Sequence, residues 1–541
     1  MNFIFTEKKM SKNLVISLII TTILCIGGKN ISAQTQNTDT DTISVDSLKL
    51  LLDPSFIQID TLAPCTLPLQ QQLPYYNCVN YDKNRFIFPG DSSKFNILYE
   101  KLDSLALYGD AKINIVHIGG SHVQADIMSN RIRMNLIDAE QGFQSDRGAI
   151  FPFKAAKTNN PFNYSIEYSG EWVKSQNSLP PLKYSVGMMG ISVTTSERDA
   201  YISFDLNSGR YETNWEYNKL KLFADISTEE YSPMLIIDGD SVPSNIEDDY
   251  FVFNLPYFAN NGLIIITDSA TNNSLISKYL NKIEVNDSII AVIDSVNMHN
   301  DSILCDTIAY DETLEIGLES DNTIAVVSDS VVDIIADSII DKNIEIKEER
   351  VYSDFTFTLM GLLPENDFNG ITYHSLGVNG ASLSSWLRSS EFSKQIENIK
   401  PDLVILAVGV NDANVPYGQF SSYQYKENYT SLLQSIYATN PNCAVIFITN
   451  NDCDLRVGRY SKGVNRNTAL VQTATYEIAE QEGAAVWDLY DIMGGYGSMG
   501  LWKNAGLANR DHVHFLLPGY NLLGDMLYNA LIFDWLYKIK R

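Results

Sequence analysis

Positive charge, cysteine and long apolar runs are all scarce in this sequence of 541 residues. Lysine and arginine number 39 against 66 aspartates and glutamates, which gives a formal net charge of −27. Because so acidic a chain repels phosphate backbones, we expect no nucleic-acid partner. The six cysteines lack the spacing of metal ligands, which argues against a zinc site or a cysteine framework. A hydrophobic content of 45% excludes a wholly disordered chain.

The first 33 residues have the pattern of a secretory signal peptide. Lys8, Lys9 and Lys12 precede the apolar run 14–26, and small residues around Ala33 suit a cleavage site. The run is shorter than the roughly 20 residues that a membrane span needs, and no later stretch comes closer. We therefore expect export to the periplasm, the cell surface or the medium, with no membrane span in the mature chain.

The remaining sequence divides by its periodicity. Residues 34–90 have few periodic apolar positions, which predicts an extended leader. The segment 91–155 contains an amphipathic helix, a buried strand ending in glycines and a second helix, the opening unit of a doubly wound α/β sheet. Short β-rich runs fill 156–364 and predict an inserted β-sandwich. The α/β pattern returns over 365–541, so we predict a parallel-sheet domain split by the insert.

A strongly acidic stretch, 286–350, lies within the insert and holds 16 acidic against three basic residues. Its composition favours a solvated loop. A short phrase of Asp, a hydroxyl residue and an aliphatic residue recurs in it and resembles the acceptor motif of a bacterial periplasmic O-glycosylation system, so glycan attachment stays open. The phrases begin at Asp287, Asp294, Asp301, Asp306, Asp329 and Asp337.

Four phrases follow predicted strands, at the positions where α/β enzymes place their sites. They are Gly119-Gly120-Ser121-His122, Gly377-Val378-Asn379-Gly380-Ala381, Gly409-Val410-Asn411-Asp412 and Asp511-His512-Val513-His514. Taken singly, each has an ordinary structural explanation: a serine caps a helix, a glycine permits a turn, and an asparagine satisfies backbone groups. Taken together, they contain every group that a serine hydrolase needs.

The chemistry of ester cleavage explains why these residue types belong together. A serine hydroxyl becomes a good nucleophile when a histidine takes its proton and a carboxylate holds that histidine. The spacing of Asp511 and His514 lets both belong to one rigid loop. Negative charge on the substrate oxygen requires fixed donors, and a backbone N–H at Gly380 with the carboxamide of Asn411 can supply them.

In content and order, these phrases resemble the successive sequence blocks of the SGNH hydrolase superfamily, also called the GDSL esterase/lipase family. The resemblance implies a flavodoxin-like α/β domain with Ser121 as nucleophile and Asp511 with His514 as the rest of a catalytic triad. It also implies an oxyanion hole formed by the N–H of Ser121 with Gly380 and Asn411. It implies no metal and no organic cofactor.

The sequence departs from that family at one position and offers two competing imidazoles. The family usually has aspartate before the serine, where this chain has Gly120, which leaves open how the serine loop is braced. His122 and His512 are the other imidazoles near the phrases. The spacing from Asp511 favours His514 as the base.

The β-rich insert resembles the arrangement in envelope SGNH enzymes that remove O-acetyl groups from peptidoglycan or other polysaccharides. There, a carbohydrate-binding-like sandwich accompanies the catalytic domain. We therefore expect an esterase that deacetylates a cell-envelope or dietary polysaccharide, with acetylated polysaccharide or peptidoglycan as its partner. Two alternatives are a polysaccharide O-acetyltransferase with the same triad and an inactive glycan-binding module. Four aromatic residues of the insert are candidates for stacking on sugars or for core packing: Trp172, Tyr211, Trp215 and Tyr217.

Overall fold

The computed structural model describes residues 70–137, 143–207, 213–225, 231–266, 352–456 and 461–537. Every described residue belongs to one unit, Cys65–Arg541. The predicted signal peptide 1–33, most of the predicted leader and the acidic stretch 286–350 with its repeats lie outside the described residues. Tyr211 also lies outside them.

A six-stranded sheet forms the centre of the α/β domain. Its strands are β1 (Phe86–Ile87), β2 (Lys112–Gly119), β14 (Gly370–Gly377), β15 (Leu403–Ala407), β16 (Ala444–Ile448) and β19 (Ala485–Trp487). They lie in the order β1-β19-β16-β15-β2-β14, and all pairs are parallel except β1 with β19. Taken in chain order, the five parallel strands are arranged 2-1-3-4-5, the flavodoxin-like order. The predicted doubly wound fold is confirmed, with its switch point between β2 and β15.

Helices cover both faces of this sheet. They are α1 (Ser93–Tyr108), α2 (Ser121–Gln124), α3 (Met128–Ile137), α4 (Leu383–Trp386), α5 (Phe392–Ile396), α6 (Ser422–Thr439), α7 (Thr468–Glu482), α8 (Leu489–Met493), α9 (Met499–Asn504) and α10 (Leu517–Leu536). In β2, Ile113 and Ile115 pack in the core that contains α1 and α10, while Val116 and Ile118 pack in the other core. Burial on both faces explains the continuous apolar sequence of the strand. No helix among the residues described above is long and apolar enough to cross a bilayer.

Two antiparallel sheets lie between β2 and β14 in the chain. One has the order β10-β11-β7-β13-β5-β4, from strands β4 (Val173–Gln176), β5 (Ile191–Glu197), β7 (Tyr217–Ala224), β10 (Asn245–Glu247), β11 (Tyr250–Ala259) and β13 (Tyr352–Glu365). The other has the order β3-β6-β12-β8-β9, from β3 (Ser165–Ser169), β6 (Tyr201–Asp205), β8 (Met234–Ile237), β9 (Asp240–Pro243) and β12 (Asn261–Ile265). The rings of Phe204 and Tyr217 lie 5.8 Å apart, so the two sheets contact each other. This β-rich region occupies the place of the predicted insert. A separate two-stranded antiparallel sheet consists of β17 (Asp454–Arg456) and β18 (Lys462–Val464).

The last part of the predicted leader packs against the α/β domain. Phe86 of β1 is buried and pairs with Trp487 of β19. The backbone N–H of Asn80 donates to the carbonyl of Ile492 at 2.9 Å. Residues 70–90 are therefore not an unpacked extension, in contrast to the expectation for 34–90. Periodicity does not detect such a segment because its few apolar side chains fill an existing core.

Candidate active site

The residues singled out in the sequence meet at the carboxyl edge of the central sheet. Ser121 follows β2, Gly380 follows β14 and Asn411 follows β15. These three strands are neighbours around the switch point, where open α/β sheets bind their ligands. His514 comes from the loop before α10 and reaches the same edge, because its side chain contacts Ser121.

A continuous chain of hydrogen bonds joins Ser121, His514 and Asp511. The hydroxyl of Ser121 lies 2.8 Å from Nε2 of His514, and Nδ1 of that ring lies 2.7 Å from Oδ2 of Asp511. These contacts suit the tautomer in which Nδ1–H donates to the carboxylate and Nε2 accepts from the serine. The arrangement can transfer a proton from the serine hydroxyl to the imidazole.

The surroundings of Asp511 favour its ionised form. Burial alone would raise the pKa of this carboxyl, but hydrogen bonds from its neighbours prevail and lower the pKa below its usual value. Oδ1 accepts the backbone N–H groups of Val513 at 2.9 Å and His514 at 3.0 Å. The same bonds fix the carboxylate beside the ring, so the loop itself orients the imidazole.

Three candidate oxyanion donors lie in the segments that follow β2, β14 and β15. Ser121 is the first residue of α2, so its N–H has no partner within the helix. Gly380 is exposed at φ +75°, and its N–H donates to no acceptor in the described part of the chain. Nδ2 of Asn411 donates to the carbonyl of Ala381 at 2.9 Å, which leaves its second hydrogen for another acceptor. These groups can serve as donors to a substrate oxyanion.

Gly120 packs closely against the loops that contain Asn411 and Ala381. A Cβ at this position would lie 3.3 Å from Nδ2 of Asn411 and 3.6 Å from the carbonyl oxygen of Ala381. A side chain here would therefore press on the carboxamide of Asn411. Glycine lets the serine loop approach that group closely.

A buried cluster of ion pairs follows α2, the helix that begins with Ser121 and is called the serine helix below. The sequence did not predict this cluster. Asp126 forms ion pairs with Arg133 and Arg147, each at 3.2 Å. Its carboxylate also accepts hydrogen bonds from Nδ2 of Asn163 and from the hydroxyl of Ser129, both at 2.7 Å. Burial alone would raise the pKa of Asp126, but the two arginines outweigh burial and hold the pKa at about 2. No sequence signal identifies the cluster, because its members are scattered among apolar segments. It connects the end of α2 to α3 and to the start of the insert.

The other two imidazoles have partners away from the serine. Nδ1 of His122 lies 2.8 Å from the hydroxyl of Tyr520, and burial lowers the pKa of His122 to about 3. Nδ1 of His512 lies 2.9 Å from Asp454. Among the described histidines, His514 is thus the one that contacts Ser121.

Three candidate sugar-stacking residues of the insert lie in its core. Trp172, Trp215 and Tyr217 are buried, with exposed fractions of 6%, 2% and 0%. Of the two roles considered for them, core packing is therefore the one that the structure supports. The described residues also contain no group of three or more His, Cys, Asp or Glu side chains placed to hold a metal ion.

Comparisons with known proteins agree with this architecture. Residues 337–522 match the GDSL-like lipase/acylhydrolase family; this segment contains Gly380, Asn411, Asp511 and His514, while Ser121 precedes it. The solved structure of a peptidoglycan O-acetylesterase has a similar fold, with a TM-score of 0.55 and 17% identity over 84% of this chain and 99% of that one. No curated protein matches the chain significantly.

Two further solved structures align with a smaller part of the chain. An acetyl xylan esterase covers 30% of this chain and 81% of its own, at 18% identity and a TM-score of 0.23. A GDSL-like lipase from Bacteroides thetaiotaomicron covers 29% of this chain and 75% of its own, at 19% identity and a TM-score of 0.24.

Proposed function

We propose that this chain, whose residues 337–522 match the GDSL-like lipase/acylhydrolase family, is an exported SGNH-type esterase that removes O-acetyl groups from a polysaccharide. The observation that carries the proposal is the hydrogen-bonded chain from Ser121 through His514 to Asp511. This geometry is the one that nucleophilic ester cleavage requires.

The first half of the reaction forms an acetyl-enzyme. His514 takes the hydroxyl proton of Ser121 as the serine oxygen attacks the acetyl carbonyl. The oxyanion accepts hydrogen bonds from the N–H groups of Ser121 and Gly380 and from the carboxamide of Asn411. Asp511 stabilises the imidazolium that results. His514 then gives its proton to the departing sugar oxygen, and the ester bond breaks.

The second half returns the enzyme to its starting state. A water molecule loses a proton to His514 while its oxygen attacks the acetyl group on Ser121. The same groups donate hydrogen bonds to the second tetrahedral oxyanion. Collapse returns the proton to the serine oxygen and releases acetate, so one water is consumed for each ester cleaved.

Two observations support an acetylated glycan of the cell envelope as the substrate. The N-terminal 33 residues have the pattern of a signal peptide, which would bring the enzyme to such polymers. The fold also resembles that of a peptidoglycan O-acetylesterase over most of both chains. Acetyl groups on peptidoglycan are therefore the first substrate to test, with an acetylated dietary polysaccharide such as xylan as the second.

The test compares the wild-type chain with Ser121→Ala on p-nitrophenyl acetate and on O-acetylated peptidoglycan and xylan. We expect the wild type to release acetate and Ser121→Ala to lose essentially all of this activity with an unchanged circular dichroism spectrum. Ser393→Ala removes an exposed hydroxyl that contacts Ser435 and serves as the matched control. Equal rates for Ser121→Ala and Ser393→Ala would refute the proposal. Adding deacetylated glycan as acceptor separates hydrolysis from transfer, because a transferase would release less acetate.

A further inference from the structure

The insert contacts one particular peptide unit of the hydrolase domain, the one between Asn379 and Gly380. The carbonyl oxygen of Asn379 accepts a hydrogen bond from Nε2 of Gln176 at 2.9 Å and one from the hydroxyl of Ser178 at 2.8 Å. Gln176 ends β4, and Ser178 lies in the turn that follows. Two side chains of the insert therefore hold a backbone group immediately before Gly380.

The turn that carries these side chains is itself fixed. The N–H of Asn177 donates to the carbonyl of Gly190 at 3.0 Å, and the carbonyl of Asn177 accepts Nε of Arg388 at 3.0 Å. Gln176 is buried, and its Nε2 also donates to the hydroxyl of Ser178 at 2.7 Å. Because these contacts already hold the side chain of Gln176, it loses little conformational entropy when it binds the carbonyl of Asn379.

The serine helix binds the backbone N–H of Asn379. The N–H of Asn379 donates to Oε1 of Gln124 at 2.6 Å. Gln124 is the last residue of α2, the helix that begins with Ser121. Asn379 is thus held by the insert through its carbonyl and by the serine helix through its N–H.

The two hydrogen bonds to the Asn379 carbonyl also fix the direction of the Gly380 N–H, because both groups belong to one trans peptide. In a trans peptide, the carbonyl and the following N–H point in opposite directions. Because the carbonyl of Asn379 points toward Gln176 and Ser178, the N–H of Gly380 points away from the insert. The loop that contains Gly380 borders the serine loop, since a Cβ on Gly120 would lie 3.6 Å from the carbonyl of Ala381.

Gly380 is the third residue of a turn that the N–H of Ala381 closes by donating to the carbonyl of Val378 at 3.1 Å. A Cβ at this residue would have as its nearest neighbours only atoms of Ser178, at 3.8 and 3.9 Å, and the residue is exposed at φ +75°. The peptide between Asn379 and Gly380 is the central one of this turn, so without the two bonds to its carbonyl it can flip while the turn stays closed. Rotation would turn the Gly380 N–H away from the oxyanion, and a misdirected donor contributes little to the transition state.

We propose that Gln176 and Ser178 of the insert are positioning residues that aim the Gly380 N–H at the oxyanion. The inference rests on the oxyanion role proposed for Gly380. It gives the insert a part in catalysis of any acetyl ester, in addition to whatever glycan it contacts. The hydrolase domain alone then has an incomplete oxyanion hole.

The experiment measures kcat and KM for p-nitrophenyl acetate in Ser178→Ala, Gln176→Leu and the double variant. We expect kcat to fall about 5- to 20-fold in each single variant, and by up to about 100-fold in the double variant, because deleting one such donor costs about 10²–10³ in kcat. KM should stay within about twofold. Ser178→Thr keeps the hydroxyl and should restore kcat to near the wild-type value.

Two further measurements separate positioning from a structural role. The control Gln144→Leu removes a similar bond across the same boundary, from Nε2 of Gln144 to the carbonyl of Asn214 at 2.6 Å, and should leave kcat unchanged. Affinity for methylboronic acid, which forms a tetrahedral anion on serine, should fall in parallel with kcat. Thermal unfolding of Ser178→Ala should match that of Gln144→Leu.

The outcomes are distinct. Unchanged kcat in Ser178→Ala and the double variant, with an active wild type, overturns the inference alone. A fall in kcat without a loss of boronate affinity also overturns it. An inactive wild type refutes the proposed function and this inference with it. If Gln176→Leu does not fold, Ser178→Ala and its threonine counterpart decide the question.

Discussion

Replacing Asp126 with asparagine tests how the segment after the serine helix is held. This carboxylate lies between the buried guanidinium groups of Arg133 and Arg147, whose side chains are 1% and 2% exposed. Asparagine has nearly the same shape and keeps an acceptor for Ser129. The change therefore removes the charge and leaves two buried cations without their counter-ion.

The size of the effect follows from two independent arguments. The pKa of Asp126 lies at about 2 against an ordinary value of 3.8, a difference that corresponds to roughly 2–3 kcal/mol of folding free energy. Breaking a buried ion pair by removing one partner costs about 3–5 kcal/mol. The cost of breaking the ion pair is larger than the free energy from the pKa difference. The substitution removes the charge of the carboxylate and also leaves the two buried arginines without their partner. We expect Asp126→Asn to lose about 3–5 kcal/mol of unfolding free energy at pH 7.

The stability that Asp126 contributes to the folded chain should depend on pH. A depressed pKa means that the ionised carboxylate stabilises the folded chain above pH 3.8, and that this stability is lost as the pH falls toward 2. Wild type should lose it over that range, and Asp126→Asn should not show that part of the loss.

Urea unfolding at several pH values measures both effects. Glu167→Gln is the control, because it breaks an exposed ion pair with Lys154 at 2.6 Å that should be worth under about 1 kcal/mol. A loss for Asp126→Asn no larger than that for Glu167→Gln would refute the reasoning.

The remaining predictions concern the site itself. Asn411→Ala should lower kcat for p-nitrophenyl acetate by about 10²–10³ with little change in KM, because it removes one oxyanion donor; steady-state kinetics measures both. Gly377→Ala should impair folding and activity, since its Cβ would lie 2.1 Å from a backbone nitrogen of the serine helix. Gly500→Ala is the control, because a Cβ there meets no atom within 4 Å, and urea unfolding curves compare the stability of the two variants. His514→Gln should reduce kcat at least about 10³-fold and His512→Asn only slightly, and a similar loss in both would contradict the choice of base.

The fold could be predicted because its signals are local. Strands buried on both faces read as continuous apolar runs, such as Leu403–Ala407, and the two glycines at the end of β2 mark the turn into the helix that begins with Ser121. The β-rich composition between 156 and 364 likewise indicated the two antiparallel sheets. The packing of residues 70–90 escaped prediction, because irregular segments gain their stability from distant partners such as Trp487.

The candidate site could be predicted only for residues that stand in a recognisable phrase. Ser121, Asp511 and His514 were singled out in this way, and the structure brings their side chains into contact. Gln176 and Ser178 carry no motif, because their importance depends on a single carbonyl more than 200 positions away along the chain. Contacts of this kind require the folded chain.

Mass spectrometry of the fluorophosphonate-treated protein tests the central claim most directly, because the probe bonds covalently to a serine that its own imidazole has activated. The wild-type chain should carry one adduct, on the peptide that contains Ser121, and His514→Gln should label far more slowly under the same exposure. An unlabelled Ser121, or labelling at the same rate in both proteins, would contradict the account.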